Sequence, residues 1–269
     1  LEHRHEEKLN SLNTITKGLE QIITNLTSSE KKLVSSEEAV NYNYLLFENL
    51  YRGPEEEIKK RLSRYPEFFK NSEKKILEIG AGRGELQELF KESSINSYGV
   101  DLDAAMVEHC KEKGLNVQKE NGLLHLDSLE DNSLGGLIAV QVIEHLSKEQ
   151  LETLFSLCAK KIDKGGKIIF ETVNITSVAT LCSNYFRDPT HMLPIHPDTI
   201  AYMMEVAGLK VLEITKCSEY PEGFKLAQVK TKGPISQREE NLYNIVNQNV
   251  EKLNQLLFSP QDYYIVAEA

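Results

Sequence analysis

The sequence predicts an α/β fold in which a mostly parallel sheet carries helices on both faces. From residue 74 onward, short apolar stretches alternate with amphipathic stretches of helical length, a pattern typical of parallel strands joined by helices. A glycine-rich turn connects the first of these strands to its helix, and an aspartate ends the second strand. The observations together predict a ligand site at one edge of the sheet, because ligands bind beyond the carboxyl ends of strands in such folds.

The composition is that of an ordinary globular protein. The chain has 269 residues, 40% of them hydrophobic and 27% charged, and a net charge of −10. This acidic balance argues against a nucleic-acid partner, which normally requires a basic face. The four cysteines form no CxxC pair, so neither a disulfide framework nor a zinc site is expected and a cytoplasmic location fits best. No apolar run has membrane-spanning length and no signal peptide is recognisable, so no integral membrane segment is expected.

The first 73 residues are predicted to be helical. Residues 1–40 contain a helix with a heptad seam, which could form a coiled coil and drive homo-oligomerisation, or could pack on its own domain as a single helix. Residues 41–73 are predicted to form a helical cap over the ligand site, with a turn at Arg52-Gly53-Pro54. The seam consists of Leu12, Ile15, Leu19, Ile22 and Leu26, and Leu33 follows one heptad later.

The sheet domain is predicted to span residues 74–269. Short apolar runs bounded by glycine or polar residues are expected to form strands, and stretches with apolar residues three or four apart are expected to form helices. Residues 218–235 show the weakest pattern. Predicted strands cover 74–81, 96–103, 116–121, 135–143, 166–173, 209–217 and 262–269, and predicted helices cover 85–91, 104–113, 148–162, 197–207 and 236–257.

The strongest signal is the turn Gly80-Ala81-Gly82-Arg83-Gly84, which lies between a buried strand and a helix. Its glycines permit unusual backbone angles and let a ligand approach the backbone. The spacing is GxGxG and not the GxGxxG of dinucleotide-binding proteins, which favours a nucleoside-type cofactor without a diphosphate. Asp101 ends the next strand, seventeen residues after Gly84, and a carboxylate there can bind both hydroxyls of a ribose.

With these residues the chain resembles the class I S-adenosylmethionine-dependent methyltransferases. The likeness covers about residues 74–217 and rests on "LEIGAGRGEL" and "GVDLD", followed by "VQVIEHL" and "KGGKIIFETVN". It implies a seven-stranded Rossmann-like sheet of strand order 3-2-1-4-5-7-6, in which the last strand, "DYYIVAEA", is antiparallel. It also implies that S-adenosyl-L-methionine is the cofactor.

The resemblance further implies which side chains bind this cofactor. Asp101 would bind the ribose and Leu102 would pack on the adenine, while Asn121 would lie near the adenine amine and accept through its carbonyl oxygen. Gln141 would face the methionyl end, and Arg52 is either a partner of the methionine carboxylate or an ordinary surface arginine. The implied cofactor-binding set is Arg52, Glu78, Gly80, Ala81, Gly82, Asp101, Leu102, Asn121 and Gln141.

Three further segments narrow the resemblance. They are "FENLYRG" before the sheet, "RDPTHMLPIHP" after the fifth strand and "LNQLLFSPQDYYIVA" near the end. Together they are similar to a bacterial subgroup associated with cell-surface polysaccharides, which includes the chain-terminating methyltransferases of O-antigen synthesis. This likeness implies a sugar or glycan as the methyl acceptor.

Three histidines are candidates for the catalytic base that removes a proton from an acceptor hydroxyl. His191 and His196 lie in the proline-stiffened segment 187–197, which should form the wall facing the acceptor. His145 follows the fourth strand. A neutral histidine near pH 7 suits this role, although each of the two loop histidines could equally serve only to hold the backbone.

A metal ion is not predicted. "QVIEH" is similar to an ExxEH pattern that binds magnesium in some quinone-pathway and RNA methyltransferases, but Gln141 replaces its first acid. One carboxylate, one amide and one histidine make a poor site for a hard cation. Glu171, at the end of the fifth strand, could join such a site or remain a solvated acid.

The leading hypothesis is therefore a methyltransferase that O-methylates a sugar or glycan acceptor in cell-surface polysaccharide biosynthesis. A small-molecule or quinone-precursor O-methyltransferase is the alternative within the same chemistry. An RNA-end methyltransferase is disfavoured by the acidic charge and the replaced metal ligand. A non-catalytic scaffold that keeps the fold is the alternative from a different class.

Overall fold

The computed structural model describes residues 53–231 and 233–269. The predicted N-terminal seam and Arg52 lie outside the described residues. The chain divides into two compact units between Lys60 and Arg61, and the sheet belongs to the second unit. The predicted domain boundary at residue 74 stays a prediction.

The seven-stranded sheet has the strand order β3-β2-β1-β4-β5-β7-β6, as the resemblance implied. Neighbouring strands pair in parallel from β3 to β5, whereas β7 is antiparallel to both β5 and β6. The order reverses between β1 and β4, and this topological switch point is where ligands bind in open α/β sheets. The strands are β1 (Ile76–Ile79), β2 (Ser97–Asp101), β3 (Val117–Lys119), β4 (Leu134–Val140), β5 (Ile162–Val173), β6 (Lys210–Cys217) and β7 (Asp262–Glu268).

Several helices begin at polar residues whose side chains satisfy the first backbone N–H groups of the helix. Asp103 accepts from the backbone N–H of Ala105 at 2.7 Å, and Ser147 and Ser236 each form a reciprocal capping box. Two short helices, α4 and α6, were not predicted. The α-helices are α1 (Glu55–Leu62), α2 (Glu85–Glu92), α3 (Ala104–Glu112), α4 (Gly122–Ser128), α5 (Lys148–Lys161), α6 (Val178–Ser183), α7 (Pro197–Val206) and α8 (Gln237–Leu257).

The core lies on both faces of the central strands, which explains why those strands are apolar almost without interruption. On one face Phe155 of α5 packs on Phe170 of β5, with ring centroids 5.4 Å apart. Phe69 and Phe90 meet edge to face at 5.7 Å. All four rings are buried, and truncating such a ring to alanine typically costs about 3–5 kcal/mol.

The long connection between β6 and β7 lies at the carboxyl edge of the sheet, because β6 ends there and β7 begins there. It contains α8 and the weakly patterned segment. Asn254 bonds both the N–H and the C=O of Leu226, and Asn247 does the same for Val229, at distances of 2.8 to 3.1 Å. Side-chain amides of α8 thus hold an extended segment that has no strand partner among the described residues.

Among the helices that the structure describes, none combines the length and the apolar content needed to cross a bilayer.

Candidate active site

The glycine turn after β1 has the backbone that only glycine adopts readily. Gly80, Gly82 and Gly84 have φ of 75°, 52° and 85°. A Cβ added to Gly80 would lie 2.4 Å from Cγ2 of Val142, so a side chain cannot fit there without displacing the β4 connection. Ala81 is buried and its N–H donates to the carbonyl of Val100 at 3.2 Å. The turn is therefore rigid and carries no side chain at its three glycines, so a ligand can approach its backbone closely at the switch point.

Asp101 is fixed by backbone donors on both carboxylate oxygens. Gly82 N–H donates to Oδ2 and Asp103 N–H donates to Oδ1, each at 2.8 Å. These two donors, one on each oxygen, hold the carboxylate in a defined plane at the end of β2. Two adjacent acceptors held in one plane suit the vicinal hydroxyls of a ribose, as the sequence suggested.

Of two further residues in the predicted cofactor-binding set, Glu78 is buried and Leu102 is exposed. Glu78 is buried in β1, where Gln87 of α2 donates to its Oε2 at 2.7 Å. Leu102 follows Asp101 and is 66% exposed. Glu78 thus helps to attach α2 to β1, and Leu102 offers an apolar surface beside the ribose acceptor.

Asn121 caps α4 with the oxygen that was expected to meet the adenine amine. Its Oδ1 accepts from the backbone N–H groups of Leu123 and Leu124 at 3.0 and 3.1 Å. Because both partners are donors, the accepting atom must be the carbonyl oxygen, and its two lone pairs are used. The oxygen of Asn121 is thus engaged by the helix cap, which leaves the NH₂ donor as the group for a ligand, and the predicted contact with the adenine stays a prediction.

Gln141, directly after β4, belongs to a buried polar cluster at the carboxyl ends of β4, β5 and β7. Its φ is 56°, a sparsely populated region for a residue with a side chain. Its Nε2 donates to Oδ1 of Asp262 at 3.1 Å and lies 3.5 Å from Oε1 of Glu171. The side-chain amide of Gln141 is therefore held by carboxylates of β5 and β7.

Arg61 and Tyr65 complete this cluster. The Arg61 guanidinium lies 3.2 Å from Glu171 and 3.3 Å from Asp262, and the Tyr65 hydroxyl donates to Glu171. Burial and the nearby Glu171 carboxylate together raise the pKa of Asp262 to about 6, against the lowering effect of Arg61. Glu171 is bound to Arg61 and Tyr65 in this cluster.

The rings of His145 and His191 lie against each other, with centroids 4.7 Å apart and planes inclined by 60°. The Thr190 hydroxyl donates to Oδ1 of Asp188 at 2.6 Å, so its oxygen must accept from Nδ1–H of His145 at 2.9 Å. This chain of hydrogen bonds leaves Nε2 of His145 as the unprotonated nitrogen. Burial, with a smaller effect from His191, lowers the pKa of His145, so the imidazole is neutral near pH 7.

His191 is oriented through its other nitrogen. Nδ1 lies 2.7 Å from the carbonyl oxygen of Tyr185 and must donate to it, since a carbonyl only accepts. The Tyr185 ring stacks beside the His191 ring at 4.8 Å. His191 therefore also presents Nε2, and the two histidines that were far apart in the sequence form one pair.

Glu144 lies beneath this pair and is 1% exposed. Among the described residues, neither carboxylate oxygen has a hydrogen-bond partner of good geometry. Burial raises the pKa of Glu144 to about 8, and nearby backbone and Thr172 groups offset only part of this rise. Ligand atoms of Glu144, His145 and His191 lie within 4.8 Å of one another, so the grouping could take up either a proton or a divalent cation.

His196 does not join the other two histidines. Its Nδ1 accepts from the backbone N–H of Asp198 at 3.2 Å and caps the N-terminus of α7. The sequence left a catalytic and a structural role open for this residue, and the geometry gives it the structural one.

Sequence reasoning missed the residues that orient the candidate base and fix Gln141. Asp188 and Thr190 lie in the proline-rich loop that was singled out, but nothing in the sequence paired them with His145. Arg61, Tyr65 and Asp262 had no recognisable signal, because each is an ordinary polar residue at the end of an element.

A family model and two solved structures relate this chain to methyltransferases. A family model described as "Methyltransferase domain" matches residues 50–214. A solved S-adenosylmethionine-dependent methyltransferase from Archaeoglobus fulgidus is 40% identical, with a TM-score of 0.78, over 84% of this chain and 100% of that chain. Phosphoethanolamine N-methyltransferase 2 from Haemonchus contortus, in complex with S-adenosyl-L-methionine, shares the fold at 15% identity and a TM-score of 0.51, over 73% of this chain and 49% of that chain.

One group of relatives carries a more specific name. The ubiquinone biosynthesis O-methyltransferase of Coxiella burnetii is 25% identical over 162 residues, which are 55% of this chain and 68% of that protein. The corresponding protein of Saccharophagus degradans is 27% identical over 158 residues, or 53% of this chain and 66% of that protein.

Proposed function

Because the chain belongs to the methyltransferase domain family and is an S-adenosylmethionine-dependent enzyme, we propose that it methylates a hydroxyl group of a sugar or glycan acceptor. The observation that carries the proposed chemistry is the hydrogen-bonded chain from Asp188 through Thr190 to His145. Such a chain holds an imidazole in one tautomer with its base nitrogen available.

The cofactor site consists of the glycine turn, the acid Asp101 and three neighbouring side chains. Gly80 and Gly82 leave room for the methionyl half, Asp101 binds the ribose hydroxyls, and Leu102 covers one side of the adenine. Asn121 donates its NH₂ to a ring nitrogen of the base, since its oxygen is used by the helix cap. The NH₂ of Gln141 is held by carboxylates at the carboxyl end of β4, next to the methionyl half.

When bound, S-adenosylmethionine supplies a methyl group on a positively charged sulfur, which becomes a neutral thioether as the acceptor oxygen bonds the methyl carbon. The proton of the acceptor hydroxyl moves to Nε2 of His145. Asp188 and Thr190 stabilise the resulting imidazolium, and His191 orients the hydroxyl. Holding the reacting groups in line accounts for much of the rate in such a displacement.

The acceptor class rests on sequence likeness and on the loop after β5. The three segments shared with the polysaccharide-associated subgroup favour a sugar. Phe186, one residue before that loop begins at Arg187, is 69% exposed, and its ring meets the Tyr185 ring edge to face at 5.4 Å. Tyr185 in turn contacts His191, so the exposed Phe186 ring belongs to the same series of aromatic contacts and offers a stacking surface for the face of a sugar ring.

A second acceptor class is supported by the names of two relatives, which are ubiquinone biosynthesis O-methyltransferases. A phenolic hydroxyl on an aromatic ring would use the same base and could stack on the same Phe186 ring. The two candidates therefore differ in the acceptor and not in the chemistry.

Methyl transfer from labelled cofactor to a panel of acceptors tests the proposal. We expect transfer to nucleotide sugars or oligosaccharides and not to catechols or RNA ends. His145→Gln should lower turnover by about 100- to 10,000-fold, the usual contribution of a general base, with unchanged cofactor affinity, while His196→Gln retains activity. Transfer to catechols alone would select the second candidate, and failure to bind S-adenosylmethionine would leave only a scaffold role. Loss of activity in EDTA would assign the Glu144, His145 and His191 grouping to a cation and remove His145 as the base.

A further inference from the structure

We propose that Arg61 is a positioning residue for methyl transfer, which fixes Gln141 at the carboxyl end of β4 by holding Glu171 and Asp262 in place. The inference rests on the proposed function, in which Gln141 adjoins the methionyl half of the cofactor.

The contacts form one continuous path across four parts of the fold. Arg61 comes from α1. Its Nη2 lies 3.2 Å from Oε1 of Glu171 in β5 and 3.3 Å from Oδ2 of Asp262 in β7. The Gln141 amide then donates to Asp262 at 3.1 Å. Tyr65, one turn beyond Arg61, donates to the second oxygen of Glu171. A change at Arg61 is therefore transmitted to Gln141 through two buried carboxylates.

Gln141 needs such support because of its backbone. Its φ of 56° is a conformation that non-glycine residues hold only where surrounding contacts over-determine it. The backbone N–H of Gln141 donates to the carbonyl of Glu171 at 2.8 Å, and its side chain reaches the same residue at 3.5 Å. Side-chain and backbone contacts thus converge on the β4 terminus at the switch point of the sheet.

The charges explain why Arg61 is the critical member. Glu171 and Asp262 repel each other, and Glu144, Tyr65 and Cys217 around them carry no positive charge. The charge of Arg64 also acts on Tyr65 and Cys217, but Arg61 is the cation that bridges both carboxylates and lowers the pKa of Asp262 against burial and Glu171. Without Arg61 the pKa of Asp262 would lie higher, and a protonated Asp262 would accept the Gln141 amide more weakly, because hydrogen bonds to charged groups are the stronger ones.

If the contacts of Arg61 with Glu171 and Asp262 served only to stabilise the fold, the loss of Arg61 would lower the free energy of unfolding and leave cofactor affinity unchanged. A positioning network instead links the protonation of Asp262 to cofactor binding. Cofactor affinity should then fall as the pH falls through about 6, the pKa of Asp262.

The test measures the dissociation constant of S-adenosylmethionine by calorimetry between about pH 5 and 8 on the full chain, a window that brackets the titration of Asp262. Arg61→Met should weaken binding at neutral pH by about tenfold, the value of one hydrogen bond to a charged group. It should also move to higher pH the acid limb of the profile, which is the range in which affinity falls as the pH falls. Arg61→Lys should restore part of the affinity. The matched control is Arg64→Met. Arg64 lies over the Tyr65 and Tyr264 rings and donates to the backbone carbonyl of Arg61 at 2.9 Å, but within the described part of the chain it forms no ion pair with Glu171 or Asp262.

Asp262→Asn keeps the shape of the cluster and removes its titration, so it serves if Arg61→Met is unfolded. This variant should bind the cofactor with an affinity that no longer changes near pH 6. Unchanged affinity and an unchanged acid limb in Arg61→Met, or an acid limb that persists in Asp262→Asn, would overturn the positioning role. Absence of binding by the unmodified chain would instead overturn the proposed function, and the positioning role with it.

Discussion

Replacing Glu144 by glutamine is expected to stabilise the protein relative to the unmodified chain, and increasingly so as the pH rises. Glu144 is 1% exposed, and its carboxylate lacks a well-formed hydrogen bond among the described residues. Glutamine has nearly the same shape and carries no charge at any pH. The substitution therefore isolates the free-energy cost of ionising a buried acid.

The magnitude follows from the pKa of Glu144, which burial raises from an ordinary 4.5 to about 8. The folded state holds the proton more tightly than the unfolded state, so this group contributes its full stability below about pH 4.5 and loses it as the pH rises through about 8. A pKa difference of about 3.5 corresponds to about 5 kcal/mol at about 1.4 kcal/mol per pH unit. Structural relaxation reduces this figure, so it is an upper value.

Urea unfolding at pH 5, 7 and 9 measures the effect in both proteins. Any cost of burying the glutamine amide is present at every pH, so the informative quantity is the change in the stability difference with pH. A matched control is Glu152→Gln on the exposed face of α5, which should show almost no such change. If the stability difference does not grow toward pH 9, Glu144 is ionised in the folded protein. A neutralising cation would then be the physical explanation, and repeating the series in EDTA would reveal it.

Three further substitutions have defined outcomes. Asp101→Asn should weaken S-adenosylmethionine binding by roughly 10- to 100-fold in calorimetry, because it removes a hydrogen bond to a charged acceptor; unchanged affinity would show that the ribose lies elsewhere. Gly80→Ala should lower the free energy of unfolding by more than Gly165→Ala does, since both have positive φ (75° and 83°) but only the Cβ on Gly80 meets another atom, at 2.4 Å. Equal losses in urea unfolding would contradict the close approach of Val142. His196→Ala should cost no more than about 1 kcal/mol of stability, as expected for a lost helix cap, and should leave cofactor affinity unchanged in calorimetry; a large loss of affinity would return His196 to the site.

The strands and the glycine turn were predictable because their signals are local. A strand buried on both faces must be apolar throughout, and a turn with positive φ needs glycine, so both leave marks in a short stretch of sequence. The likeness carried by Gly80, Gly82 and Asp101 then fixed the order of all seven strands. The short helices α4 and α6 left too few periodic residues to be recognised.

The rest of the site was less predictable, because its residues are joined only by folding. Three histidines were equal candidates, and the sequence could not show that His145 and His191 lie against each other while His196 caps a helix. A capping role and a catalytic role require the same residue type in a loop. The glycan acceptor remains a proposal for the same reason, since acceptor specificity depends on how loops from different strands meet.

The sequence by itself determined the strands and the glycine turn, because periodicity and glycine act within a few residues of one another, while the contact of Asp101 with a ribose stays a prediction. Only the tertiary structure decided which polar groups share a low-dielectric environment. It brought Arg61, Glu171, Asp262 and Gln141 into one cluster and left Glu144 without a counter-charge beneath two histidines. Protonation states and pKa values arise from such encounters, and the chain order of the residues does not contain them.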